Sequence, residues 1–154
     1  SNYLHLLEGA GLLAGIEKYA GDIIRKRSSR PKFQAFNNAL VSSQMNTTYS
    51  KIRENHKEWG RLAESAVGSH LLNASIQKRF NLYYWNENSH EVDFVIEKDG
   101  KVIGIEVKSG MDSSNQGIAL FDKAYHPNQI FIVGTDGISF EEFLSSDPSE
   151  LFNV

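Results

Sequence analysis

The chain has 154 residues, of which 40% are hydrophobic and 23% charged, a size and composition typical of one globular domain with its own core. It has no cysteine, which excludes disulfides and thiolate metal sites, and no apolar run of about 18 residues that would predict a transmembrane helix. The net charge of −3 does not suggest a strong nucleic-acid binder. The charge is uneven, however: residues 1–61 hold 10 Lys and Arg against 5 Asp and Glu, and residues 62–154 hold 6 against 14. This asymmetry is consistent with a phosphate-facing surface or with contact between the two halves.

The first fifty residues predict a helix and a two-stranded wing. A short apolar helical face begins at Tyr3, and residues 12–19 and 31–36 have the pattern of short strands. The loop between these strands is basic and contains Arg25, Lys26, Arg27 and Arg30. These side chains either contact a nucleic-acid backbone or are solvated. Residues 37–50 are polar and predict a linker. We therefore expect a partial winged-helix remnant and linker in residues 1–50, and a second domain in residues 51–154.

Residues 51–73 predict the longest helix, with an apolar stripe along one side. Glu64 lies at the edge of this stripe, with Gly60 and Gly68 four residues before and after it. Glycine inside a helix costs about 1 kcal/mol relative to alanine, so two glycines around one acid indicate a close approach of this helix to a sheet. The alternative is that Glu64 is an exposed residue on the flank of the helix.

Residues 91–110 predict a β-hairpin. Apolar residues alternate along both arms, and Asp99-Gly100 is a strong signal for a two-residue type I′ turn. The turn fixes a register in which paired residue numbers sum to 199. Val92, Phe94 and Ile96 would then form an apolar face with their partners on the second arm. Asp93 would face Glu106, with Gly104 and Lys108 on the same side.

Two opposed carboxylates repel each other and normally destabilise a hairpin. A divalent cation would compensate, because Mg²⁺ takes one or two carboxylates together with waters and substrate phosphate. The close approach of the long helix would add the Glu64 carboxylate to Asp93 and Glu106, with Gly104 leaving room for it. Lys108 would stabilise charge on a phosphate or orient an attacking water. The competing interpretation is a solvated surface hairpin in which Lys108 offsets Glu106.

The remaining elements are a strand over residues 80–85, a helix from Ser113 or Ser114 to Tyr125, and a short buried strand over residues 130–133. Gln116 lies in the first turn of that helix and could face the site or bind the backbone of a nucleic-acid substrate. The spacing of Ser139 and Glu142 predicts a capping box for a last short helix, and the acidic tail from Ser145 is expected to fray.

Asp93 together with Glu106-Val107-Lys108 resembles the motif of the PD-(D/E)XK nuclease superfamily, with its restriction-endonuclease-like fold. More narrowly, the order of several segments resembles the C-terminal domain of many bacterial and archaeal AAA-type ATPases: YLHLLEGAGLL, WGRLAESAVGSHLL, LYYW, EVDFVIEKDGK and IEVKSG. The resemblance covers most of residues 3–133. It implies an α/β fold with an αβββαβ core, a mixed sheet flanked by helices, preceded by the winged-helix remnant. It also implies that Glu64, from the first core helix, joins Asp93 and Glu106 at a Mg²⁺ or Mn²⁺ site, and that Lys108 is catalytic.

Three functions follow as hypotheses. The first is a Mg²⁺-dependent nuclease or phosphodiesterase domain of a cytoplasmic AAA-type ATPase, acting on nucleic acid, with DNA favoured. The second is a catalytically silent nucleic-acid-binding or regulatory module of such an ATPase. The third is a protein-interaction or dimerisation domain, consistent with the negative net charge. The chain begins with Ser1 and enters a helical pattern at once, so we expect a fragment whose own ATPase region precedes it, outside the membrane and open to homo-oligomerisation.

Overall fold

The computed structural model describes residues 2–21, 29–110 and 115–154. In these residues one mixed sheet contains six strands, β1 (Leu13–Lys18), β2 (Lys32–Ala35), β3 (Asn81–Glu87), β4 (His90–Lys98), β5 (Lys101–Lys108) and β6 (Gln129–Gly134). Their order across the sheet is β2-β1-β3-β4-β5-β6. Neighbouring strands are antiparallel except for the pairs β1/β3 and β5/β6, which are parallel.

The helices are α1 (Asn2–Gly9), α2 (Asn38–Ser43), α3 (Tyr49–Glu54), α4 (His56–Lys78), α5 (Gln116–Tyr125) and α6 (Phe140–Ser145), followed by a C-terminal 3₁₀ helix (Pro148–Asn153). Together with the sheet they confirm the α/β class and the flanking helices. No helix in the described ranges is both long and apolar enough to cross a membrane.

The two faces of the sheet bury different sets of side chains. On one face lies the inner core, where side chains of β4 and β5 pack against α4, α6 and the 3₁₀ helix; it includes Val67, Leu71, Phe94, Ile96, Ile103, Ile105, Phe143 and Phe152. On the other lies the aromatic cluster, built around α5; it consists of Tyr83, Trp85, Val92, Val95 and Phe121, with Tyr19 and Tyr125 packed against it. Because successive side chains of a strand point to opposite faces, Phe94 and Val95 belong to different sets.

The β4–β5 hairpin has the predicted register over its distal half. The pairs run from Phe94↔Ile105 to Lys98↔Lys101. The turn is the predicted type I′, because Asp99 and Gly100 both have positive φ, 51° and 79°. The β3–β4 connection is also a tight turn with two positive φ angles, at Asn88 and Ser89.

The proximal half of β4 differs from the prediction because the strand contains a β-bulge. Tyr83 pairs with Val95 and Trp85 pairs with Val92, so β4 has one more residue than β3 over this interval. The extra residue breaks the strict alternation. The prediction that Val92 shares a face with Phe94 and Ile96 is therefore wrong: Val92 lies in the aromatic cluster.

The predicted helix over residues 51–73 is two helices, and α4 extends further than expected. Asn55 separates α3 from α4, and its side chain accepts hydrogen bonds from the backbone N–H groups of Lys57 and Glu58. Asparagine caps a helix better than it continues one, so the chain restarts there. The expected linker over residues 37–50 contains α2, which Asn37 caps in the same way.

The two predicted wing strands are present as β1 and β2, and they join the main sheet. Glu17 and Lys18 of β1 pair in parallel with Tyr83 and Tyr84 of β3. The winged-helix interpretation and a domain division at residue 50 stay predictions. Of the expected basic loop, Arg25, Lys26 and Arg27 lie outside the described residues, as do Ser113 and Ser114, the expected helix caps.

The C-terminal tail is part of the core, so the expectation that it frays is wrong. Ser139 caps α6 as predicted, accepting the backbone N–H of Glu142. The 3₁₀ helix then places Phe152 against Phe80, with ring centroids 5.8 Å apart. Lys101 Nζ also donates to the Phe152 carbonyl oxygen at 2.7 Å. Phe152 lies seven residues beyond the end of α6, so its apolar side chain carries too weak a periodic signal to indicate this packing.

Candidate active site

Two carboxylates lie where β4 begins and β5 ends, and each accepts a hydrogen bond from the opposite strand. The backbone N–H of Val107 donates to Asp93 Oδ2 at 2.8 Å. The backbone N–H of Asp93 donates in turn to the Glu106 carboxylate. At this end of the hairpin, next to the bulge, side-chain carboxylates accept backbone N–H groups of the facing strand. The predicted association of Asp93 with Glu106 is present, although the regular strand pairing of the hairpin ends at Phe94↔Ile105.

Burial and mutual repulsion make both acids hard to ionise. Asp93 is only 8% exposed, and its desolvation, together with the negative charges of Glu64 and Glu106, raises its pKa to about 8. Desolvation also raises the pKa of Glu106 to about 7, against the opposing effects of the Asp93 N–H and Lys108. Acids whose pKa is raised by burial and by neighbouring carboxylates are typical of functional sites, and a nearby positive charge would favour their ionised form.

The long helix α4 brings Glu64 to this pair, and its glycines explain how. A Cβ on Gly68 would lie 2.1 Å from Gln34 Oε1 and 2.8 Å from the Phe94 ring, and one on Gly60 would lie 3.0 Å from Ser109 Oγ. The predicted close approach of this helix is therefore confirmed. The carboxylate of Glu64 acts electrostatically on both Asp93 and Glu106.

Gly104 does not leave room for Glu64, contrary to the prediction. A Cβ on Gly104 would be 3.4 Å from both Ile130 and the Phe121 ring, which lie on the α5 side of the sheet. The bulge in β4 turns the Asp93 side chain away from the α5 side of the sheet and toward Glu64 on α4. A register argument based on strict alternation could not show this difference.

Glu64 has a basic partner that the sequence pattern did not indicate. Lys32 of β2 donates from its ammonium group to Glu64 Oε1, and the pair is about one-third exposed, 30% and 31%. The two residues are 32 positions apart, so no local spacing marks the pair. Only the pairing of β2 with β1 and its packing on α4 bring them together.

Lys108 is buried, 7% exposed, and its ammonium group donates to Asn115 Oδ1. Asn115 immediately precedes α5, whose first turn packs closely on β4: a Cβ on Gly117 would lie 2.1 Å from the Glu91 carbonyl oxygen. Asn115 is the second site residue that the sequence prediction missed. Lys108 acts electrostatically on Glu106, so the Asp, Glu and Lys of the predicted motif do meet in space.

The predicted nucleic-acid contacts are only partly described. Arg30 is exposed, and its carbonyl oxygen accepts a hydrogen bond of 2.7 Å from Tyr84 Oη, which holds the end of the basic loop to β3. Gln116 is exposed in the first turn of α5, next to the Asn115 that binds Lys108. Contact of either residue with nucleic acid stays a prediction.

The donor set of the acidic pair suits a hard divalent cation. Glu106 Oε2 is buried and has no hydrogen-bond partner in the described part of the chain, and an unpartnered buried carboxylate oxygen is costly. A second carboxylate, Asp93, lies beside it, and two carboxylates completed by waters are a typical Mg²⁺ site. In the described ranges no three His, Asp or Glu side chains form a ready metal-binding group, and Glu64 is engaged by Lys32.

Comparison with protein families gives one finding. A family model described as a domain of unknown function, DUF4143, matches residues 59–143. The match begins within α4, contains β3 to β6 and α5, and ends in α6. It therefore includes Glu64, Asp93, Glu106, Lys108 and Asn115. Neither the curated proteins nor the solved structures give a match to the chain.

Proposed function

The chain belongs to the DUF4143 family, whose domains are found in C-terminal regions associated with AAA-type ATPases, and on this premise we propose that it is a metal-dependent nuclease domain. The proposed reaction is hydrolysis of a phosphodiester bond in nucleic acid, with DNA as the favoured substrate. The fold we assign to it is the restriction-endonuclease-like core, with β1 and β2 as the wing of a winged-helix remnant.

One observation carries the proposal: a buried Glu106 oxygen with no hydrogen-bond partner among the residues that the structure describes, beside a second buried carboxylate on Asp93. A structural role would favour pairing or replacing such a group, because a buried charge without a partner is destabilising. Asp93 and Glu106 are the residues that would hold Mg²⁺ or Mn²⁺, with Glu64 assisting. When bound, the cation would polarise the phosphate and lower the pKa of a water molecule.

Lys108 supplies the positive charge of the proposed site. Its stem is buried and its ammonium group is held by Asn115, so little reorganisation is needed before it stabilises a negative oxygen. Lys108 would stabilise the charge that develops on the phosphate or orient the attacking water. Asn115 positions it, and Gln116 and Arg30 would contact the neighbouring backbone of the nucleic acid.

Cleavage of labelled single-stranded DNA, duplex DNA and RNA in Mg²⁺ or Mn²⁺ tests the proposal. We expect wild-type cleavage of at least one substrate and a loss of about 100-fold or more in Asp93→Asn and Lys108→Met, the scale expected for a lost catalytic group. Lys123→Met is the matched control, because Lys123 is exposed on α5, and it should cleave like the wild type.

Two outcomes would contradict the proposal. If Asp93→Asn cleaves as fast as the wild type, the acidic pair is not the catalytic centre. If nothing is cleaved but DNA binds in a salt-dependent way that Asp93→Asn leaves unchanged, the chain is the silent nucleic-acid-binding module. Self-association without any affinity for DNA would instead favour the interaction domain.

A further inference from the structure

Lys32 lies at the candidate site although it is far in sequence from the other site residues. Its strand, β2, is attached to α4 through Gln34, whose side-chain amide donates to the Ser65 carbonyl at 3.0 Å and to Ser69 Oγ at 3.3 Å. The absence of a side chain at Gly68 allows this contact. Gln34 is buried, so the position of β2 on the helix is well defined.

The Lys32 ammonium group lies among charges of the site. It donates to Glu64, lies 5.1 Å from the centroid of the Phe94 ring, and acts electrostatically on Asp93. Burial alone would lower the pKa of Lys32, but the charge and hydrogen bond of Glu64, helped by Asp93 and Glu91, outweigh it and raise the pKa. The hydrogen bond to Glu64 and the contact with the Phe94 ring place the Lys32 ammonium group beside the acidic pair.

We propose that Lys32 is a second cationic residue of this site, with two alternating partners. Without a metal ion it neutralises Glu64, and when a divalent cation binds the acidic group it releases that carboxylate and contacts a phosphate of the nucleic-acid backbone. This inference rests on the proposed function and adds to it a metal-coupled substrate contact.

The geometry favours exchange over a fixed structural ion pair. The Lys32–Glu64 pair is about one-third exposed, and ion pairs of this kind contribute little to stability, so a divalent cation can displace the ammonium group. Lys32 and Lys108 lie on separate strands, β2 and β5, and both act electrostatically on the acidic pair. Two such lysines would hold a phosphate from different directions.

Calorimetric titration with Mn²⁺ is the first readout of the test. Lys32→Met and Lys32→Gln remove the competing cation, so we expect both to bind Mn²⁺ about twofold to fivefold more tightly than the wild type, the range for a partly exposed ion pair. Lys32→Arg keeps the charge and should bind like the wild type. Lys57→Met, an exposed position in the first turn of α4, is the matched control.

The second readout is the salt dependence of binding to a fluorescent DNA duplex in Mn²⁺, measured in a Lys108→Met background to prevent cleavage. Loss of one phosphate contact in Lys32→Met should reduce the slope of log K against log salt by about 1, and Lys57→Met should leave it unchanged.

The outcomes separate this inference from the proposed function. If the wild type binds Mn²⁺ and both neutral variants bind it no more tightly, the exchange is contradicted while the metal site stands. An unchanged salt slope likewise contradicts the phosphate contact. If Mn²⁺ binds neither the wild type nor the Lys32 variants, the proposed function fails and this inference fails with it.

Discussion

At the scale of single residues, the candidate site consists of acids held in conditions that oppose their ionisation. Asp93 and Glu106 each accept one backbone N–H, which favours the charged form, but burial and the neighbouring carboxylates outweigh those bonds. The sequence motif identified both acids and Lys108, because the type I′ turn aligns them. It could not identify Lys32 or Asn115, because their contacts depend on strand pairing and helix docking far along the chain.

We predict that the metal-free protein loses stability as the pH rises from about 5 to about 8. In the unfolded chain the two acids titrate at ordinary values, so the folded state holds more protons across this range and the free energy of unfolding decreases, by about 1.4 kcal/mol per pH unit for each acid that the fold keeps protonated. Urea unfolding at a series of pH values, with a chelator present, measures this change. The variant Asp93→Asn should show a weaker dependence of the free energy of unfolding on pH.

Asp99→Asn is the matched control for this pH dependence. Asp99 is exposed in the β4–β5 turn, where its positive φ of 51° suits asparagine, so the variant should keep the wild-type slope. A free energy of unfolding that stays constant or increases from pH 5 to 8 would show that the acids are not held protonated by the fold.

At the scale of elements, the bulge in β4 and the approach of α4 build the site between them. The sequence predicted the hairpin, its turn and the distal register, because alternation and turn chemistry are local. It placed Val92 on the wrong face, since one inserted residue reverses the facing of the residues of β4 before it. The register at Gly104 is as predicted, but Gly104 faces α5 and leaves no room for Glu64. It also extended the long helix through Asn55, where a capping side chain outweighs the apolar periodicity.

Gly68→Ala tests the close approach of α4. Alanine would gain about 1 kcal/mol in helix propensity, but its Cβ would displace the buried Gln34 amide and press on the Phe94 ring. We expect a net loss of about 1–3 kcal/mol in the free energy of unfolding, typical of overpacking, measured by urea denaturation.

Gly60→Ala serves as the control on the same helix. Its Cβ would meet only Ser109 Oγ, at 3.0 Å, and a serine hydroxyl can rotate away. The stability should therefore change by no more than about 1 kcal/mol in either direction. Equal effects of the two substitutions would mean that Gly68 has no special role in docking.

At the scale of the whole molecule, the sheet joins residues of the basic N-terminal part to the acidic remainder. β1 pairs with β3, Lys32 binds Glu64, and the Arg30 carbonyl accepts from Tyr84. The contact between the basic and acidic halves agrees with one interpretation of the charge asymmetry. The other, a phosphate-facing surface, is consistent with the basic loop ending beside the sheet. Such contacts between distant segments were beyond the reach of local patterns, as was the packing of the C-terminal residues.

Phe152→Ala tests the structural role of the C-terminal 3₁₀ helix. Phe152 is buried in the inner core against Phe80, so its truncation should lower the free energy of unfolding by about 3–5 kcal/mol. Leu144→Ala, at a position of α6 that is 37% exposed, should cost less than about 1 kcal/mol. A cost that small for Phe152→Ala would mean that the 3₁₀ helix is not part of the folded core.

The central claim is that Asp93 and Glu106 hold a divalent cation, and a calorimetric Mn²⁺ titration of the wild type, Asp93→Asn and Asp99→Asn tests it most directly. The account predicts equal binding by the wild type and Asp99→Asn, and a loss of more than about tenfold in affinity for Asp93→Asn, since removing even an outer-shell partner of a metal site costs that much. Equal affinity in all three proteins, or no Mn²⁺ binding by the wild type, would contradict it.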